Sequence, residues 1–217
     1  MSDSLERFRW LDADENECPL GGIFSVSFFR GLDPGEVLRR FGAVSPRRRR
    51  RMSFGELRDR VAGFLSESDG GDGGGYVAVR KEGEWSVALE LWGWEATLPD
   101  VTDGLSLGCE MVAVTRHDYA EHSFVHAVDG NIVTGFNPHV PSYRHGSDPD
   151  GLNSLIREIG FDPEHEEMCL DEPMAMTFAL AAGITGVPFT PGTLERPMLV
   201  GDVRDVWDVR DVWAATA

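Results

Sequence analysis

The chain has 217 residues, enough for one large domain or two small ones. Its 41% hydrophobic and 10% aromatic content supplies an ordinary core that needs no metal or disulfide staple. A formal net charge of −17 repels nucleic-acid phosphates and anionic membranes and attracts basic partners, or simply keeps the chain dissolved. No run approaches the ~18 apolar residues of a membrane span.

The opening stretch from Met1 to Asp14 is charged and lacks the apolar centre of a signal peptide. Cys18, Cys109 and Cys169 lie far apart with no CxxC pair. That pattern points to reduced thiols in a cytoplasm rather than to a zinc knuckle or a thioredoxin-like site. Lys81 is the sole lysine against 19 arginines, a ratio that fits the codon bias of a GC-rich bacterial genome.

Phe8, Trp10 and Leu11 suggest a helix or turn. The first strand is expected over residues 23–29, with Phe24, Val26 and Phe28 on one face and Ser25 and Ser27 on the other. Asp33-Pro34-Gly35-Glu36 reads as a helix start with Asp33 as N-cap and Glu36 at the capping-box position. Val37, Leu38 and Phe41 form the stripe and Gly42 the stop. Ser53 and Glu56 repeat the capping-box spacing before a helix that buries Leu57, Val61, Phe64 and Leu65. Residues 69–75 form a flexible glycine loop. They lack the Lys-Ser/Thr ending and the preceding strand of a phosphate cradle.

A hairpin follows, with Tyr76 to Lys81 as one strand, Glu82-Gly83 as the turn and Glu84 to Leu91 as the return. Trp92-Gly93-Trp94 breaks the alternation. Pro99-Asp100 opens a helical turn through Leu107, and Glu110 to Arg116 is another strand. Asp129-Gly130 joins strands 123–128 and 131–136 through a type I′ turn. Helices are expected from Asp148 to Gly160, from Pro173 to Ala182, and after Thr190-Pro191, ending near Pro197. The hexapeptide Val203–Asp208 repeats in Val209–Trp213, as a tail or a helical extension. Hairpin connections predict an α+β fold, a mainly antiparallel sheet of about five to six strands with helices packed on one face. Residues 1–200 form the expected single domain, and residues 201–217 the tail.

Three blocks carry a family resemblance. The first is the run from Arg30 to Gly42, and the second the run from Trp85 to Glu95. The third joins Gly146-Ser147-Asp148-Pro149-Asp150 to Ile156-Arg157-Glu158-Ile159-Gly160 and Asp162-Pro163. In this order, over roughly residues 8–200, they resemble an actinobacterial, Streptomyces-type family of uncharacterised proteins, the domain of unknown function numbered 6461. The resemblance implies a cytoplasmic bacterial protein with no assigned catalytic residues.

No complete catalytic constellation is visible. GxSxG and HExxH are missing, and Cys109 opens a strand as a small core residue. His122 and His126 share a strand face about 13 Å apart at roughly 3.3 Å per residue, too far for one metal. A metal site would need His117 or His139 folded back on one of them, with a carboxylate as third ligand. No catalytic residue, metal or cofactor is therefore expected.

The candidate ligand- or partner-binding residues are Arg30, Glu90, Trp94 and His126, as a polar pocket with an aromatic wall. A surface ion pair beside core tryptophans is the plainer alternative. The Arg47–Arg51 run lacks aromatic interleaving, so it is expected to pair with the protein's own acidic surface rather than with nucleic acid. These features favour a non-catalytic interaction module of a conflict or regulatory system. It would bind another, basic protein through its acidic surface or a Trp-lined edge. The alternative is a small enzyme or ligand-binding protein with a pocket at Arg30, Glu90 and Trp94.

Overall fold

The computed structural model describes residues 5–43, 45, 49–68, 73–166 and 171–203. A short 3-10 helix, Glu6–Leu11, precedes strand β1, Ile23–Arg30. Helix α1 is Pro34–Arg40, β2 is Arg50–Met52 and α2 is Phe54–Glu67. The hairpin is β3, Tyr76–Glu82, and β4, Trp85–Leu91. A 3-10 turn, Glu95–Thr97, and α3, Pro99–Ser106, lead to β5, Glu110–His117. Then come β6, Ser123–Val128, and β7, Asn131–Phe136. The last elements are α4, Asn153–Glu158; α5, Pro173–Thr185; α6, Pro191–Leu194; and β8, Met198–Asp202.

The sheet is antiparallel throughout, in the order β2-β8-β3-β4-β1-β5-β6-β7. It has eight strands rather than five or six, because β2 and β8 add themselves beside β3. Helices cover both faces, not one. Phe24, Val26 and Phe28 meet α2, α4, α5, α6 and the first 3-10 helix. Phe29, Val79, Ala88 and Ala113 meet α1, α3 and the Glu95–Thr97 turn. Ser25 and Ser27 therefore lie buried beneath a second layer. Small side chains let that layer approach the sheet closely.

Local chemistry explains the element ends. Asp33 accepts N–H bonds from Gly35 and Glu36 at 2.8 and 3.1 Å, as an N-cap should. The Glu36 carboxylate instead takes Arg39 and Arg40. Ser53 and Glu56 close a full reciprocal box. Asp129 and Gly130 have φ of 49° and 75°, as a type I′ turn requires. The other hairpin turns on Gly83-Glu84, one residue later than the sequence suggests. Only the leading glycine there takes positive φ, as in a type II′ turn. α4 starts at Asn153, because residues 149–152 are turns, and Gly160 stops it as expected.

Both sheet edges are blunted. β2 is three residues long and carries exposed Arg50 and Arg51. The outer side of β7 is covered by backbone, with Gly135 and His145 exchanging N–H···O bonds of 2.8 and 2.9 Å. The described end of the glycine loop is buried. A Cβ on Gly74 would lie 1.9 Å from the Leu91 carbonyl oxygen, so glycine serves close backbone approach. Residues 69–72 and the repeat from residue 204 onward lie outside the described residues. No helix among the described residues is long and apolar enough to cross a membrane.

Candidate functional site

The four residues singled out from sequence fall into two groups at opposite ends of the sheet. Ser25 pairs with Glu90, while Arg30 lies five residues further along β1, about 17 Å away at roughly 3.3 Å per residue. Alternation also sends them to opposite faces: Glu90 aligns with Ser25 and Ala88, Arg30 with Phe28 and Trp85. Arg30 and His126 do meet, through a residue the sequence reading passed over. The Glu110 carboxylate takes Arg30 Nη1 at 3.1 Å and His126 Nε2 at 3.1 Å. Arg30 also reaches Glu84 at 3.8 Å. Its guanidinium is 56% exposed and already shared between two carboxylates, which makes it a weak anion receptor.

Glu90 is a buried anchor, 4% exposed. Its oxygens accept the N–H groups of Glu95 and Ala96 at 3.1 and 3.2 Å and so fix the start of the 3-10 turn. Ser25, its register partner on β1, lies beside it. Burial pushes the Glu90 carboxyl up to about 8, helped by the like charge of Glu95. Trp94, on the same loop, packs its ring 5.1 Å from that of His117.

That contact opens onto the end of the sheet where the loop after the first 3-10 helix, the β5–β6 turn and the loop after β7 converge. His139 does fold back on His122, with ring centroids 4.7 Å apart. His122 Nδ1 accepts the His117 backbone N–H at 3.2 Å. A neutral His122 therefore carries its proton on Nε2 and has no lone pair left for a metal. Burial lowers it to about 4, helped by His139, so it stays neutral near pH 7. Burial likewise lowers His139. Among the described residues no three potential ligands group around a metal position.

Acidic groups crowd the same end. A Cβ placed on Gly22 would lie 2.7 Å from Asp118 Oδ2 and 2.9 Å from Glu15 Oε2, so two carboxylates flank one glycine. Asp14, Glu17 and Glu121 are exposed in the adjoining turns. The cation among them, Arg116, is 7% exposed. It binds Asp118 through two contacts of 2.7 Å and the carbonyls of Leu11 and Ala13 at 2.9 and 2.7 Å. Glu15, Glu17 and Glu121 make no ion pair among the described residues. Tyr119 stands 69% exposed, donating its hydroxyl to Glu15 at 2.9 Å. Sequence order hid this grouping, since Glu15 and Tyr119 are 104 residues apart.

Two other candidates settle into structural roles. Burial raises the Cys109 thiol, although Arg40 Nη1 lies 3.5 Å from Sγ, so it is not an activated nucleophile. Within the arginine run, Arg49 binds the Ala43 carbonyl at 2.7 and 3.0 Å. Arg50 and Arg51 lie in β2, and Arg47 and Arg48 lie outside the described residues. The expected pairing with the acidic surface is not made by Arg49, Arg50 or Arg51 among the described residues.

Comparison with protein families matches residues 1–201 to a family of unknown function (DUF6461). Comparison with curated proteins and with solved structures finds no match.

Proposed function

We propose that this chain, which belongs to the family of unknown function DUF6461, is a non-catalytic binding module that docks a basic protein segment on its acidic, aromatic end. The carrying observation is Glu15, in no ion pair among the described residues, held against an exposed Tyr119, while the buried Arg116 is taken up by Asp118. An arginine or lysine approaching this end meets carboxylates that no internal cation neutralises at Glu15, Glu17 and Glu121. Tyr119 and the half-buried Trp94 offer faces for cation–π contact, worth about 0.5–1 kcal/mol at exposed sites. The net charge of −17 adds long-range attraction for a basic partner.

Each exposed ion pair contributes only about 0–1 kcal/mol. Docking therefore depends on several pairs together and weakens as salt shortens the Debye length from ~30 Å at 0.01 M to ~8 Å at 0.15 M. The test is fluorescence anisotropy with a labelled arginine-rich peptide, comparing wild type with a Glu15→Gln, Glu17→Gln, Glu121→Gln variant. Loss of about tenfold in affinity at low salt supports the reading. Equal binding by the two proteins, or binding indifferent to salt, overturns it.

A further inference from the structure

The turn that presents Tyr119 is closed by a histidine acting as an acceptor. Between β5 and β6 the chain reverses over residues 118–122. The His117 backbone N–H crosses this turn and donates to His122 Nδ1 at 3.2 Å. The Ala120 N–H returns to the His117 carbonyl at 3.0 Å. His139, from the loop after β7, lays its ring 4.7 Å from that of His122. That loop is pinned at the same point, where Asn137 Oδ1 accepts the His139 N–H at 3.0 Å and the Asn137 carbonyl accepts the Val140 N–H at 2.9 Å. One imidazole thus joins the turn carrying Tyr119 and Glu121 to the loop after β7.

We propose that His122 is an acid-operated catch on the docking end: neutral, it holds the β5–β6 turn and the loop after β7 together, and on taking up a proton it lets them part. The inference rests on the docking reading above in giving this end a use, but its chemistry is local. A neutral imidazole that accepts at Nδ1 carries its hydrogen on Nε2, so the next proton can go only to Nδ1. An imidazolium accepts no hydrogen bond, so protonation requires the His117 N–H contact to break. The new cation would also lie partly desolvated against the second imidazole. The charged groups acting on His122 are Asp118, which favours its protonation, and Arg116 and His139, which oppose it. Arg116 and Asp118 grip each other through two contacts of 2.7 Å, so that pair largely offsets itself. Glu15 reaches the turn through Tyr119, and Glu121 is exposed on the turn itself. Burial first and His139 second accordingly lower His122 to about 4, against about 6.5 for a histidine in water. The open turn therefore binds the proton more tightly than the closed one. Closure is complete above about pH 6.5 and is lost as pH falls from there toward 4.

The experiment follows hydrogen exchange of the His117 amide from about pH 7 to about pH 4.5, corrected for intrinsic rate. The Phe41 amide, bonded to the Val37 carbonyl at the end of α1, serves as reference. Wild type is expected to lose about tenfold in His117 protection between about pH 6.5 and about pH 5, while Phe41 stays level. His122→Asn puts an oxygen where Nδ1 stands, accepts the same N–H and takes up no proton, so its profile should be flat. His139→Phe keeps a ring in the stack without the charge, so the fall should begin at higher pH. The His122 ring, followed by NMR in wild type, should titrate together with the loss of His117 protection. Level protection in wild type, an unchanged fall in His122→Asn, or a His122 ring that titrates while the His117 amide stays protected overturns the catch. These readouts need no partner. Failed peptide binding with an intact acid transition sinks the docking reading alone, and the reverse result sinks the catch alone.

Discussion

Replacing Arg116 with alanine should be among the most damaging single changes in the protein. Its guanidinium ties the loop after the first 3-10 helix to β5 through the Leu11 and Ala13 carbonyls and the Asp118 carboxylate. Truncation leaves two carbonyls and one carboxylate without their partner. Breaking a buried pair from one side costs about 3–5 kcal/mol. The Asp118 side chain is 25% exposed, so water recovers part of its charge, and about 3 kcal/mol is the expected loss. With a slope of about 2 kcal/mol per molar urea, the midpoint should fall by about 1.5 M. Asp118→Ala and the double variant complete the cycle, and the double should cost clearly less than the sum. A loss below about 1 kcal/mol in Arg116→Ala, or strict additivity, would refute the assigned role.

Asp12 caps α5, accepting the N–H groups of Met174 and Ala175 at 2.8 and 2.7 Å, and burial raises it to about 6. The folded state then holds a proton that the unfolded chain releases between pH 4 and 6. Asp12 should therefore reduce stability as pH rises through that window, by at most ~1.4 kcal/mol per unit, and Asp12→Asn should remove that slope in urea titrations. Glu36 behaves oppositely. Hydrogen bonds from Arg39 and then Arg40 hold it down to about 2, so its contribution is intact above about pH 4.5 and fades toward pH 2. Melting curves of Glu36→Gln and wild type should converge at the acid end. Gly74→Ala should destabilise strongly, whereas Gly63→Ala, in open space within α2, should stabilise by about 0.5–1 kcal/mol. Equal thermal shifts for the two would contradict the close-approach argument.

Most elements were legible because their signals are local. The Ser53 box, the Asp129-Gly130 turn and the alternation of Phe24, Val26 and Phe28 each lie within a few residues. β2 escaped notice because Arg50-Arg51-Met52 has no apolar alternation, and β8 because Met198–Asp202 is short and contains Gly201. Both depend on pairing with strands distant in sequence. Ser25 and Ser27 marked only the other face of the strand, since a small hydroxyl on an alternating strand looks the same under water or under a close-packed helix. The expected pocket divided for a related reason. Alternation puts Glu90 on the face of β4 opposite Trp85, Val87, Leu89 and Leu91, but register alone revealed that Arg30 is at the far end, paired with Trp85. Glu110, which joins Arg30 to His126, carried no motif.

The docking account is tested most directly by titrating the nitrogen-15-labelled protein with an arginine-bearing peptide and following its backbone amides and indole N–H groups. Shifts should concentrate at residues 14–22, 92–98 and 117–122 and fade with added salt. Shifts centred instead on Arg30, Glu110 and His126, or scattered evenly over the acidic surface, would contradict it.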